Sequence, residues 1–166
     1  MKDILTFYWN PSNEHDIPNG TTHLIIGWRN QPLKEGDIPN SVTHLTFSHY
    51  FNQSLNEGDI PNSVSHLTFD SWIDPLLKKG DIPNSVTHLT FGDDFNQPLK
   101  KGDIPNSVTH LTFGGHFNQL LNEGDIPNSV THLTFHHWFD DKPGYIPNSV
   151  THLTCNFNQP SKNEIF

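Results

Sequence analysis

Ile82-Pro83-Asn84-Ser85-Val86-Thr87-His88-Leu89-Thr90-Phe91-Gly92-Asp93-Asp94-Phe95-Asn96-Gln97-Pro98-Leu99-Lys100-Lys101-Gly102-Asp103 is one complete unit of a sequence that repeats itself along almost its whole length. The opening tripeptide, Ile-Pro-Asn, begins at Ile17, Ile38, Ile60, Ile82, Ile104, Ile126 and Ile146, in steps of 21, 22, 22, 22, 22 and 20 residues. A period of this length is the mark of a solenoid, in which each coil hides its apolar face only against its neighbours. When the units are stacked, apolar residues fall into columns. They are the Ile of the tripeptide, Val42 to Val150, Leu24 to Leu153, Phe47 to Phe135 (continued by Cys155), Phe51 to Phe139, and Leu33 to Leu121. One coil alone cannot bury any of these, so the columns face inward.

Within the unit only Thr-His-Leu-Thr-Phe has strand character. Leu and Phe, two apart, share one face, and His and Thr share the other. The rest is turn chemistry: Pro fixes φ after the Ile, and Gly-Asp closes the coil. Four residues separate Leu99 from Ile104, too few for a helix. The expected fold is a β-rich repeat solenoid of right-handed coils of about 22 residues, with a parallel sheet on one face and turns and extended chain on the other. Seven to eight such coils would span roughly 35 Å at about 4.8 Å per coil. Residues 17–160 form the tandem repeats, 161–166 a short C-terminal tail, and 1–16 a degenerate N-terminal capping copy. In that copy Leu5-Thr6-Phe7 stand where Leu45-Thr46-Phe47 stand later.

The strings Phe51-Asn52-Gln53, Phe95-Asn96-Gln97-Pro98-Leu99, Phe117-Asn118-Gln119 and Phe157-Asn158-Gln159-Pro160 are each tied to the Ile-Pro-Asn-Ser-Val-Thr-His-Leu-Thr module. This pattern resembles the FNIP repeat, a relative of the leucine-rich repeat. The resemblance implies a leucine-rich-repeat-like horseshoe lined by strands, a binding role, and kinship with proteins of social amoebae and of giant viruses that infect amoebae. Some members of that family carry an N-terminal F-box and look like substrate receptors of ubiquitin ligases. Here strand-like sequence begins by Leu5, which leaves no room ahead of it for an F-box. Only the binding role carries over.

Hydrophobic residues make up 33% of the 166, low for a globule with a thick core but sufficient for a repeat array. The net charge is −9, and no run of the sequence is a basic cluster, which disfavours nucleic acid and anionic membrane surfaces as partners. No apolar stretch approaches a membrane span. The single cysteine, Cys155, precludes an intrachain disulfide, and Met1 to Trp9 lack the apolar run of a secretory signal. A cytoplasmic location is expected, and no cofactor is implied.

No catalytic constellation stands out: there is no phosphate loop, no Gly-x-Ser-x-Gly, no His-Glu-x-x-His and no Cys pair. Ser and His recur only as repeat columns, so the chain reads as a non-enzyme. His23, His44, His66, His88, His110, His132 and His152 form a ladder on the open sheet face. Three readings apply to it: an amphipathic surface column whose rings stack, a pH-sensitive array, or a metal-binding surface. The Thr46 to Thr154 column beside it is explained by cross-strand packing rather than by ordering of ice. Asp37, Asp59, Asp81, Asp103 and Asp125 each follow a Gly and read as turn caps rather than calcium ligands. The Asn column, including Asn96 and Asn118, is expected to hydrogen-bond turn backbone between coils.

Trp28, Tyr50, Trp72, Asp94, His116 and Trp138 occupy one column just before the Phe-Asn pair, and this column changes from coil to coil on a nearly invariant frame. Trp and Tyr at a surface are enriched at interaction hot spots. These six residues, with His44, His66, His88, His110 and His132, are the candidate contacts for a protein partner. The strand edge at His152–Cys155 also invites pairing between copies of the chain.

Overall fold

The computed structural model describes residues 5–9, 17–27, 32–48, 51, 53–70, 77–139 and 144–157, with the backbone alone at 137–139 and 156–157. Eight strands make one sheet in chain order: β1 (Thr6–Trp9), β2 (His23–Ile26), β3 (His44–Phe47), β4 (His66–Phe69), β5 (His88–Phe91), β6 (His110–Phe113), β7 (His132–Phe139) and β8 (His152–Phe157). Every neighbouring pair is parallel, and from β2 onward like pairs with like: His with His, Leu with Leu. Among the described residues there is no helix.

Sequence alternation explains the strands. From β2 to β6 each reads half-buried, buried, half-buried, buried, with Leu and Phe (Ile26 in β2) pointing into the core. The inward Phe rings stack from coil to coil, with centroids 5.3 Å apart for Phe47 and Phe69 and 5.5 Å for Phe91 and Phe113. A second Phe column packs on the first, Phe117 lying 4.1 Å from Phe113. Ile, Val and Leu of the remaining columns complete one continuous core.

Turn chemistry closes each coil. Pro105-Asn106-Ser107-Val108 is a turn sealed by the Val108 N–H on the Pro105 carbonyl at 3.1 Å. At the opposite corner Gly102 takes φ +97°, a conformation open to glycine at little cost. Asp103 then clips its own turn: Oδ2 accepts the Lys100 N–H at 2.8 Å, while the Asp103 N–H bonds the Lys100 carbonyl at 3.0 Å. Asp37, Asp59, Asp81 and Asp125 make the same clip, the turn-capping role read from the sequence. Burial raises the Asp81 carboxyl above its ordinary value, although the hydrogen bond from Lys78 opposes this.

The sheet is curved, and the ring spacings give its sense. Outward His rings repeat at 4.1–4.2 Å. The Phe rings on the core side repeat at 5.3–5.8 Å. Strands themselves lie about 4.8 Å apart. Contraction on the His side and expansion on the Phe side place the His ladder on the concave surface and the turns on the convex one.

Two placements differ from the sequence reading. In β1, Phe7 pairs with Leu24 and Trp9 with Ile26. Phe7 therefore stands in the Leu column and Trp9 in the Phe column, two residues along from the alignment through Leu5-Thr6-Phe7. The Leu5 carbonyl instead accepts the Thr22 and His23 N–H groups, and the Leu5 side chain is 42% exposed. A slip of two keeps every side chain on its face, so alternation alone cannot detect it. The other difference lies in β7, which continues through Trp138 and Phe139, paired with Asn156 and Phe157. The segment Cys155-Asn156-Phe157 is two residues shorter than Phe135 to Phe139. A bulge between Phe135 and Trp138 absorbs the excess. The rest of the chain from 158 on lies outside the described residues.

Phe113 contacts Phe91, Phe117 and Phe135 and is fully buried. Phe113→Ala is expected to cost about 3–5 kcal/mol, with Phe113→Leu costing much less; urea unfolding followed by circular dichroism measures both.

Candidate functional site

The concave face is built from the two outward positions of each strand, His and Thr. From His23 to His132 these side chains are half-buried, and at His152 the ladder is exposed. All seven imidazoles stack in one column with interplanar angles of 3–15°. The stacking is not left to the rings alone, because the residue before each His holds it. Thr43 Oγ1 lies 3.0 Å from His44 Nδ1, Ser65 Oγ 3.0 Å from His66 Nδ1, and Thr87 Oγ1 2.9 Å from His88 Nδ1. The remaining four rungs repeat the contact at 2.9–3.0 Å.

The tautomer follows from counting donors. Thr43 Oγ1 has one proton and two acceptors in reach, His44 Nδ1 at 3.0 Å and the Thr22 carbonyl at 3.3 Å. That carbonyl already accepts the Thr43 N–H at 2.9 Å and the His44 N–H at 3.0 Å, which fills its two lone pairs. The hydroxyl proton therefore goes to Nδ1, and the neutral ring carries its hydrogen on Nε2. The ladder is a row of N–H donors. Nearly parallel rings do not converge their nitrogens on one point, as a metal at about 2.0–2.1 Å would require. Among the described residues no group of three His, Cys, Asp or Glu is placed to hold a metal ion.

Burial, and then the neighbouring imidazoles, hold His44, His66, His110 and His132 below the ordinary value of 6.5. The causes are physical and additive: lost hydration penalises the imidazolium, and a like charge one coil away penalises it again.

Two members of the variable column, Asp94 and His116, are both exposed and lie side by side on adjacent turns, Oδ1 to Nδ1 3.4 Å. The turns are tied across the coils: Asp93 Oδ1 accepts the Gly115 N–H at 2.8 Å, and Asn96 Oδ1 accepts the Asn118 N–H at 2.9 Å. The Asn column thus links coils as expected, though at the surface. Trp138 is not on such a turn but in β7, so the aligned column is split between two local structures. Trp28, Tyr50 and Trp72 lie outside the described residues. Cys155 is half-buried against the core, and burial pushes its thiol up, away from reactivity.

One feature escaped the sequence reading. Stacking brings Lys78, Lys79, Lys100 and Lys101 together on the convex turns, although they are 22 residues apart in the chain and form no basic run. The signal was there in the column before each Gly, which reads Glu35, Glu57, Lys79, Lys101, Glu123.

The FNIP Repeat family profile matches residues 30–71, 74–116 and 95–137, more than half of the chain. The chain belongs to the FNIP repeat family. Among solved structures it is similar to CroV588, a circular leucine-rich-repeat protein of a giant virus, with 38% identity and a TM-score of 0.63 over 85% of this chain. The match spans 24% of the CroV588 chain. No curated protein matches. The leucine-rich-repeat-like architecture of this FNIP array is that of a scaffold, and no helix among its described residues is long and apolar enough to cross a membrane.

The depressed imidazoles link stability to pH. In the folded FNIP array they bind protons less readily than in the unfolded chain, so stability is complete above the unfolded value of about 6.5 and is lost as pH falls through it toward the folded values. Asp81 acts with the opposite sign but in the carboxylate range. The melting temperature is expected to fall between pH 7.5 and pH 5.5, and His66→Gln/His110→Gln should reduce that fall; differential scanning calorimetry at both pH values checks it.

Proposed function

We propose that this FNIP array is a protein-interaction module that seats a partner protein on its concave strand-lined face, with no reaction of its own. His44, His66, His88, His110 and His132 are the central contacts. Asp94 and His116, with Trp28, Tyr50, Trp72 and Trp138, supply rim contacts that differ from coil to coil. The observation that carries this reading is the preoriented donor row. Each of these five imidazoles is fixed by a hydroxyl, stacked on both sides, and half-buried without any element across it among the described residues. Preorganised donors lose little entropy on binding. A partner supplying acceptors to the Nε2 hydrogens and apolar surface to the Thr methyls is the complement of this face. Recruitment of a host protein, or of a substrate for another enzyme, is the role such a scaffold would serve, and a cytoplasmic location suits it.

Capture from a eukaryotic host lysate tests the reading. Wild type should retain a specific partner that Trp72→Ala/Trp138→Ala and His88→Ala/His110→Ala each release, with circular dichroism unchanged. Hot-spot truncations of this kind cost about 2 kcal/mol or more each. Retention of the same partner by both folded variants would rule out this face.

A second reading is association between copies of the chain through strand edges. It is favoured by Leu153, which is 44% exposed in β8, whereas Leu133 one coil earlier is 1% exposed. Sedimentation velocity over a wide concentration range would then show a growing assembly, and Leu153→Lys would abolish it; a constant monomer sinks this reading.

A further inference from the structure

Half a coil away from the strands, the convex side carries a trough of about 1300 Å³ that crosses the coils from Glu57 to Tyr145 and contains no strand residue. A smaller trough of about 640 Å³ continues it from Glu57 back to Glu35. Beneath it lie the core residues Ile82, Ile104 and Ile126, each only 1–3% exposed, so the accessible lining is mainly polar. One wall is the row of glycine turns and the other the row of Pro-Asn turns, which presents the exposed amides of Asn84, Asn106 and Asn128.

Charge is distributed unevenly along the glycine wall. Lys79 and Lys101, both exposed, line it on two adjacent coils, and the exposed Lys78 and Lys100 stand next to them in the chain but outside the trough lining; the four are part of the nine cationic side chains in a protein of net charge −9. Glu57 and Glu123 flank Lys79 and Lys101 in the same column. Lys79 and Lys101 are not held by carboxylates: no ion pair engages either among the described residues. Their stems are nonetheless placed. A Cβ at Gly102 would sit 3.4 Å from Lys79 Cδ, and one at Gly124 would sit 3.2 Å from Lys101 Cδ, so each stem lies across the glycine of the next coil. Lysine stems resting on a turn keep the ammonium at the open side. Neighbouring ammonium groups one coil apart repel one another, and an anionic ligand relieves that repulsion.

We propose that this trough is a second docking site, for an extended segment of a partner protein with a short acidic run at its centre. Charge complementarity selects the acid. The surrounding surface carries the excess negative charge and repels an acidic segment everywhere except at the lysine island, which orients its approach. The shape selects an extended chain: the trough is open along its length and crosses about four coils, room for roughly five or six residues at about 3.3 Å each. The Asn84, Asn106 and Asn128 amides repeat along it and can bond a peptide backbone. Glu57 and Glu123 exclude further acidic residues at either side. Tyr145, 37% exposed and anchored by its N–H on the Leu121 carbonyl at 2.9 Å, offers an aromatic stop at one end. This site is independent of the concave face.

Fluorescence anisotropy with a fluorescein-labelled Ala-Glu-Glu-Glu-Glu-Ala peptide tests it on the full chain. Wild type should bind saturably, the Gln-for-Glu peptide should not, and binding should weaken steeply as salt rises from about 50 to about 300 mM. Lys79→Glu/Lys101→Glu should weaken binding about tenfold or more. The frame already hosts Glu at this column in other coils, so the variant folds. His88→Ala/His110→Ala should leave binding unchanged, which separates this result from any failure at the concave face. Absence of binding to wild type at low salt, equal binding to the Lys79→Glu/Lys101→Glu variant, or binding of inorganic phosphate in place of the peptide would each overturn the proposal.

Discussion

In-register pairing of coil upon coil is the constraint on which everything else rests. A translation of 22 residues brings each side chain onto a copy of its own position, so only residues that tolerate contact with themselves can fill the buried columns. Phe and His do so as stacked rings, and Leu and Val as interlocking aliphatics. Ser does so by bonding the preceding coil, as Ser107 Oγ does with the Val86 carbonyl at 2.7 Å. Asp is the exception that shows the rule. A column of carboxylates one coil apart is unfavourable, and it persists because each takes the N–H of its own turn and shields its charge there. The Asp81 carboxyl is raised chiefly by its burial, with the carboxylates of Asp103 and Asp59 adding to this.

Curvature follows from what stands on the two faces. Large Phe rings on the core side hold the coils apart, and flat imidazoles on the other side let them close to stacking distance. The concave face is thereby drawn tight into a continuous surface, and the convex turns fan out and leave a trough between their two rows. One asymmetry of ring size thus produces both surfaces to which a binding role is assigned.

The imidazole, the hydroxyl and the carbonyl of the preceding coil form a unit matched to the neutral ring. While the ring is neutral the hydroxyl donates to Nδ1. When the ring takes a proton, Nδ1 becomes the donor, and the hydroxyl is left only the carbonyl 3.2–3.3 Å away, which two N–H groups already occupy. Protonation therefore costs the ladder twice: in a crowded acceptor at each rung, and in repulsion between rings one coil apart, which grows with each added charge.

Much of this was legible in the sequence because repetition states it many times over. The columns named the core, the alternation in His-Leu-Thr-Phe named the strand and its two faces, and Gly-Asp named the turn and its cap. Where repetition lapses, legibility lapses too. In the N-terminal copy the register lies two residues along, since Leu5, Phe7 and Trp9 alternate alike in the sequence and only backbone pairing distinguishes them. Trp138 aligned with Asp94 and His116, yet a two-residue shortening in the next coil drew it into β7. The sequence by itself determined the period, the inward columns and the open His-Thr face, because these depend on residue type at fixed spacing. Only the tertiary structure decided the sense of the curvature, the tautomer of the ladder and the bringing of Lys79 and Lys101 into one trough wall, because each depends on distances between residues that are far apart in the chain and adjacent only once the coils are stacked.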